Sequence, residues 1–239
     1  MAAAAPRHHA GRGRRALLVK KSGGVLKRPR RTHTRKDAEQ AEKFKTTLAR
    51  RLCELRLPKD RAVRVWAVDE HRYGLISHQR RCWGLRRVRP HAPYRTKYDW
   101  GYLASALEID GKDDAVCMFF PSVSKDVSAL FLRELAATDK QAVHVVIQDQ
   151  AGFHLKAQDE GLPENVRLLP LPPYSPELNP VERVGDLIRD ATGNRVFSSL
   201  KEMEAAIEKE IKPLWSEPSR VRSLVGDGWI RSQVNAISG

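Results

Sequence analysis

The spacing of apolar positions changes period several times along the chain, and each change marks a different element. Ala41, Phe44, Leu48, Leu52 and Leu55 recur every three or four residues, the spacing that keeps side chains on one face of a helix. Asp37 stands before this stripe and Gln40 three residues after Asp37, the pattern of a capped N-terminus, so a helix is predicted from Asp37. VRVWAVD (63–69) reads as a strand that ends on a carboxylate, and residues 73–90 as a hairpin. YLASALEI (102–109) and AVCMFF (115–120) are two further strands, separated by the turn Asp110-Gly111. Ser124 caps a helix expected to run through about Thr138, with Val127, Leu130, Phe131 and Leu135 on one face. AVHVVIQD (142–149) is nearly continuous in apolar residues, as suits a strand covered on both faces, and it too ends on an acid. VRLLPL (166–171) is a short strand, PPYSPELNP (172–180) a stiff proline-rich connection, and helices are predicted over 180–192 and 199–212. The sum is a mixed α/β fold with acids at strand ends, where open α/β sheets place their sites.

Charge divides this picture into regions. The 239 residues carry a formal net charge of +14, and residues 1–50 alone hold +12, with twelve Lys or Arg and no acid in residues 1–36. Such a stretch is expected to be a disordered basic arm. A second acid-free basic segment spans 78–98 and includes Arg80, Arg81, Arg86, Arg87 and Arg89. The remainder is mildly acidic. Basic strips beside an acidic body suit a polyanion, most simply nucleic acid, held next to a site that binds divalent cations. Three scattered cysteines without a C-x-x-C pair argue against a disulfide framework and against zinc, and point to a reducing compartment. No apolar run approaches membrane-spanning length and the N-terminus lacks a signal-peptide core, so the expectation is a cytoplasmic protein without a membrane partner.

Three acids stand out by context. Asp69 and Asp149 each terminate an apolar strand, and Glu182 opens a helix after the rigid loop. If the two strands are neighbours, their ends meet, and the loop can bring Glu182 to the same point. Carboxylates from three elements could hold Mg²⁺, which takes oxygen ligands, and a two-ion cluster suits in-line displacement at phosphorus. Each acid also has a plainer explanation. A lone strand-end Asp is commonly a solvated turn residue, and Asn179-Pro180-Val181-Glu182 fits a capping box in which Glu182 only closes its own helix. Glu70 adjoins Asp69, but strand alternation points it elsewhere.

The strings around these acids resemble the DDE transposases of the mariner superfamily, specifically the bacterial insertion-sequence-630 family. VDEHRYGL (68–75) resembles the first catalytic strand, RRCWGLRRVRP (80–90) the hairpin after it, and VVIQDQAGFH (145–154) the second-aspartate motif. LPPYSPELNPVE (171–182) is similar to the third motif and is the most specific. The resemblance implies a ribonuclease-H-like mixed sheet flanked by helices. It places the catalytic and metal-binding acids on Asp69, Asp149 and Glu182. It further implies Mg²⁺ or Mn²⁺ as cofactor, in a two-ion site, and double-stranded DNA as partner, cut at element ends and joined to a TA-type target; a homodimer on DNA is one form the assembly could take.

Departures from the family pattern are Arg87 where the hairpin usually has Gly, and Gly185 where the last helix often has Trp. The family's N-terminal helix-turn-helix region is matched only in its tail, by LLVKKSGGVLKRPRR (17–31). The domain expectation is therefore a basic arm and partial helix-turn-helix remnant over 1–36, a linker helix over 37–60 and a ribonuclease-H-like catalytic domain over 61–239. An upstream frame is expected to supply the missing recognition domain. DNA-phosphate contacts are expected from Lys27, Arg28, Arg30, Arg31, Arg80, Arg81, Arg86, Arg87 and Arg89. Two alternatives stand beside the transposase reading. One is a truncated, non-catalytic DNA-binding remnant. The other is a different ribonuclease-H-like nuclease, against which the PPYSPELNP string argues.

Overall fold

A computed structural model describes residues 34–236 except Arg56 and Asp227. Lys27, Arg28, Arg30 and Arg31 lie outside the described residues. The described residues from Arg35 onward form one unit by their contacts.

The centre is a five-stranded mixed sheet: β1 (Val63–Ile76), β2 (Thr96–Glu108), β3 (Ala115–Phe120), β4 (Val143–Gln148) and β5 (Val166–Pro170). The spatial order is β3-β2-β1-β4-β5. β1 pairs antiparallel with β2 and parallel with β4; β2–β3 is antiparallel and β4–β5 parallel. This is the ribonuclease-H-like mixed sheet flanked by helices that the motifs imply.

Alternation along β1 feeds two cores. Val65 and Ala67 join a cluster with Phe44, Leu48 and Leu52 of α1 (Ala38–Glu54) and with Leu178, Val181 and Val184. Trp66 and Val68 face the opposite cluster, built on Phe131, Leu132 and Leu135 of α2 (Lys125–Ala137). Both predicted N-caps form: Asp37 accepts from the Glu39 and Gln40 amides at 3.0 Å, and Ser124 from the Val127 amide at 3.2 Å. The expected face of α2 is rotated, however. Leu130 is 39 % exposed and Leu132 is buried, because the sheet, rather than the helix's own spacing, decides which leucine it covers.

Two expectations about β1 need correction. The strand does not stop at Asp69 but continues to Ile76, and the hairpin is larger than residues 73–90, with β2 beginning at Thr96. Its ladder shifts register between Gly74 and Ile76. A Cβ on Gly74 would come within 2.7 Å of the Asp99 carbonyl, so this close strand approach requires glycine. What ends at Ala67↔Ile147 is the parallel ladder with β4. Asp69 thus lies just beyond that edge although its own strand runs on.

After β5 come two short 3-10 turns, Pro176–Leu178 and Pro180–Arg183, then α3 (Val184–Thr192) and α4 (Leu200–Ile211). Three further helices are not among the predicted elements: α5 (Pro213–Ser216), α6 (Pro218–Val225) and α7 (Trp229–Asn235). Their role is packing. Trp229 meets Phe44 of α1 edge-on at 6.1 Å, and Gln233 accepts from the Ala49 amide at 3.2 Å. Helix α1 is therefore joined to the same body as the sheet. Among the described residues no helix is long and apolar enough to cross a membrane.

Candidate active site

Two strands and one turn bring the three acids together. β1 and β4 are parallel neighbours, so their carboxyl ends open on the same side of the sheet. Asp69 stands on β1 beyond the last shared pair, and Asp149 directly follows β4. The proline-rich segment then crosses this edge and delivers Glu182. Asp69, Asp149 and Glu182 line one pocket of about 480 Å³, with Tyr174, Ser175 and Asn179 on its wall.

Asn179 ties that turn to the strand. It is buried, its Nδ2 donates to the Val68 carbonyl at 2.9 Å, and its Oδ1 accepts from the Val181 amide at 3.2 Å. One side chain thus caps the helical turn and docks it beside Asp69. His71 adds a second tie, its Nε2 lying 3.0 Å from the Val181 carbonyl. With only a carbonyl to meet, Nε2 donates; burial holds the ring's pKa down at about 4, so it is neutral. Gly185 belongs to this arrangement, since a Cβ there would lie 3.2 Å from His71 Nδ1 and 3.1 Å from an Arg189 nitrogen. Where the family pattern often has Trp, this chain packs a histidine.

The capping-box explanation of Glu182 fails on hydrogen-bond accounting. The box needs the Asn179 amide as donor to Glu182, but that amide donates to the Pro176 carbonyl at 2.9 Å. The helix opens as a 3-10 turn, and Glu182 faces the pocket.

Electrostatics differ among the three acids. Burial pushes Asp69 up to about 8, and the nearby Glu182, Glu70 and Asp149 charges add to this, against the Glu70 amide that Asp69 accepts at 2.9 Å. Burial also raises Glu182, with Arg189 opposing and Asp149 and Asp186 adding. Asp149 moves the other way, lowered chiefly by its hydrogen bond from His154. The pocket therefore crowds negative charge that water alone solvates poorly. Among the described residues, no three acidic, His or Cys side chains stand close enough to grip one ion together. Asp149 Oδ1 meets His154 Nδ1 at 3.0 Å and accepts from the Ala151 amide at 2.9 Å.

His154 carries no mark in the sequence beyond closing the motif quoted around Asp149. It is 3 % exposed, with Nδ1 3.0 Å from Asp149 Oδ1 and Nε2 2.8 Å from Glu70 Oε2. Both ring nitrogens face acceptors, so both donate. Burial opposes the charge, but the two carboxylates outweigh it and raise the ring to about 10. Glu70, as alternation required, points away from Asp69, and what it meets is this histidine. No local spacing pairs residue 70 with residue 154, so only the fold reveals the link.

The basic segment forms the connection 77–95 between β1 and β2. Arg81, Arg86, Arg87 and Arg89 are exposed and make no ion pair among the described residues. Arg80 differs: it pairs with Asp190 at 2.9 Å, and its backbone is bracketed by Asn194. Trp83 is wholly exposed in this connection.

The family model of the DDE superfamily endonucleases matches residues 64–204. An uncharacterized protein of Sinorhizobium fredii, y4pE/y4sA, is 30 % identical over 127 residues, 52 % of this chain and 93 % of that protein. Among solved structures, the Mos1 mariner paired end complex with Mn superposes with a TM-score of 0.59 at 14 % identity, covering 92 % of this chain and 70 % of that one. The Mos1 strand transfer complex gives 0.55 at 15 % identity over 89 % and 68 % of the two chains. At such identities these structures speak to the fold. The family match spans both strands and the turn that carry Asp69, Asp149 and Glu182, and the chain belongs to the DDE superfamily endonucleases.

Proposed function

We propose that this endonuclease is the catalytic part of an insertion-sequence transposase, which cuts DNA at element ends and joins the freed 3′ ends to a second duplex. Asp69, Asp149 and Glu182 are its metal-binding and catalytic residues. The observation that carries this reading is the meeting of three carboxylates, 113 positions apart in sequence at the extremes, on one pocket wall. The donor set fits a hard divalent cation, because all three ligands offer oxygen. The raised Asp69 fits as well, since a bound cation would offset the burial and the neighbouring carboxylates that raise it. Mg²⁺ or Mn²⁺, as a pair, would supply an activated attacking oxygen and a stabilised leaving oxygen.

The chain's own residues do the rest. Asn179 and His71 hold the Glu182 turn against β1, which fixes the spacing between Glu182 and Asp69. Water attacks first and the released 3′-hydroxyl attacks second, so both steps use one pocket without a covalent enzyme intermediate. Arg81, Arg86, Arg87 and Arg89, with the basic segment that includes Lys27, Arg28, Arg30 and Arg31, contact phosphates. Such contacts supply affinity but little sequence readout. Selection of element ends is assigned to a helix-turn-helix region, with joining at a TA-type target and a homodimer as the acting species.

Supercoiled-plasmid nicking with Mn²⁺ tests this, alongside Mn²⁺ titration of the DNA-free protein. Asp149→Asn is nearly isosteric and retains an oxygen for the Ala151 amide, so the fold and DNA binding persist. Nicking is expected to fall more than about 100-fold, beyond the usual effect of losing an outer-shell partner. Asp186→Asn is the control: its partner is Arg189, in an exposed pair whose loss matters little. Parent-level nicking and Mn²⁺ binding by Asp149→Asn would overturn the assignment.

A further inference from the structure

We infer that His154, held by Glu70 from the opposite face of the sheet, is a positioning residue that orients Asp149 for metal binding. The inference rests on the reading of Asp149 as a ligand. Asp149 needs such a restraint. It follows the last residue of β4 and its side chain is 57 % exposed, so packing restrains its rotamer little. Its Oδ1 takes two contacts, from the Ala151 amide at 2.9 Å and from His154 Nδ1 at 3.0 Å. No hydrogen bond among the described residues falls on Oδ2, so the bridge fixes one oxygen and leaves the other to the pocket.

The imidazole is itself immobilised. Its Nδ1 also lies 3.1 Å from the Asp149 main-chain carbonyl, Phe153 packs edge-on against the ring at 4.7 Å, and Nε2 meets Glu70 at 2.8 Å. Glu70 adjoins Asp69 on β1 but faces the α2 side, whereas Asp69 faces the pocket. The chain Glu70–His154–Asp149 therefore couples the strand that carries one acid to the carboxylate of another. Partners of this kind typically change metal affinity about 10–100-fold when removed.

Replacements that keep one half of the bridge separate positioning from packing. An Asn amide reaches the place of Nδ1, and a Gln amide the place of Nε2. Mn²⁺ binding to DNA-free protein, followed by electron paramagnetic resonance, is expected to fall by less than about tenfold for His154→Asn, which keeps the contact to Asp149 and loses the Glu70 anchor. It is expected to weaken about 10–100-fold for His154→Gln. Nicking by His154→Gln should be restored as Mn²⁺ is raised, since affinity and not the chemical step is impaired. Equal affinities for the two variants, or a defect in His154→Gln that Mn²⁺ cannot restore, would overturn the inference. If either variant fails to fold, Glu70→Ala decides: it keeps all three pocket carboxylates and the His154–Asp149 contact, and an unchanged Mn²⁺ affinity refutes the bridge while a drop of several-fold, up to about tenfold, supports it. Should Asp149→Asn bind Mn²⁺ like the parent, the ligand assignment itself fails. Should Asp149→Asn lose binding while His154→Gln keeps it, only the present inference fails.

Discussion

Replacing Asp69 by Asn should stabilise the metal-free protein while abolishing its cleavage. The folded Asp69 keeps its proton up to about pH 8, against an ordinary value of 3.8. The native state therefore binds an extra proton between those values, and stability is lost as pH rises through that window. One pKa unit corresponds to about 1.4 kcal/mol, so by pH 7 the upper bound is roughly 4 kcal/mol. The pocket is open to water, and its effective dielectric exceeds that of a dry interior, so the expected gain is about 1–3 kcal/mol. Asn cannot ionise, and its oxygen still accepts the Glu70 amide. For a domain of this size the gain means roughly 2–12 °C in Tm. Thermal unfolding of parent and variant at pH 5 and pH 8 in chelator, then at pH 8 in excess Mg²⁺, is the assay. The gap should widen from pH 5 to pH 8. In Mg²⁺ it should shrink or reverse, because ligand at about 100 times Kd stabilises the parent alone by about 2.7 kcal/mol. A variant less stable than the parent at pH 8 in chelator, or a gap independent of pH, would refute the crowded-carboxylate account.

Asn179→Ala removes two buried hydrogen bonds and strands the Val68 carbonyl, so a destabilisation of about 1–3 kcal/mol is expected in denaturant unfolding, together with reduced nicking as Glu182 drifts from Asp69. Asn179→Asp retains the cap acceptor but not the donor to Val68, and should recover only part of the stability. Changing Arg81, Arg86, Arg87 and Arg89 together to Ala should weaken DNA binding and flatten its salt dependence, by up to about 0.9 in slope for each phosphate no longer neutralised. Mn²⁺ affinity of that variant should be unchanged, and an unaltered salt slope would remove the 77–95 connection from the DNA interface.

Much of this protein is legible in its sequence. The apolar runs ending at Asp69 and Asp149, the caps Asp37 and Ser124 and the proline-rich string before Glu182 all report local burial and local hydrogen bonding, which sequence periodicity reads directly. The family resemblance supplied the expected sheet. What the sequence could not decide was relational. β1 continues past Asp69 because β2 pairs with it as far as Ile76, and that partner lies twenty residues on. Leu132 rather than Leu130 is covered because the sheet surface chooses. Glu182 escapes its own helix cap only because the Pro176 carbonyl claims the Asn179 amide first. The Glu70–His154–Asp149 bridge joins a residue of β1 to a histidine 84 positions away and to the acid that follows β4. A one-dimensional pattern fixes which faces seek the core. Only the closing of strands, turns and loops into one packing arrangement determines which charges must then face each other.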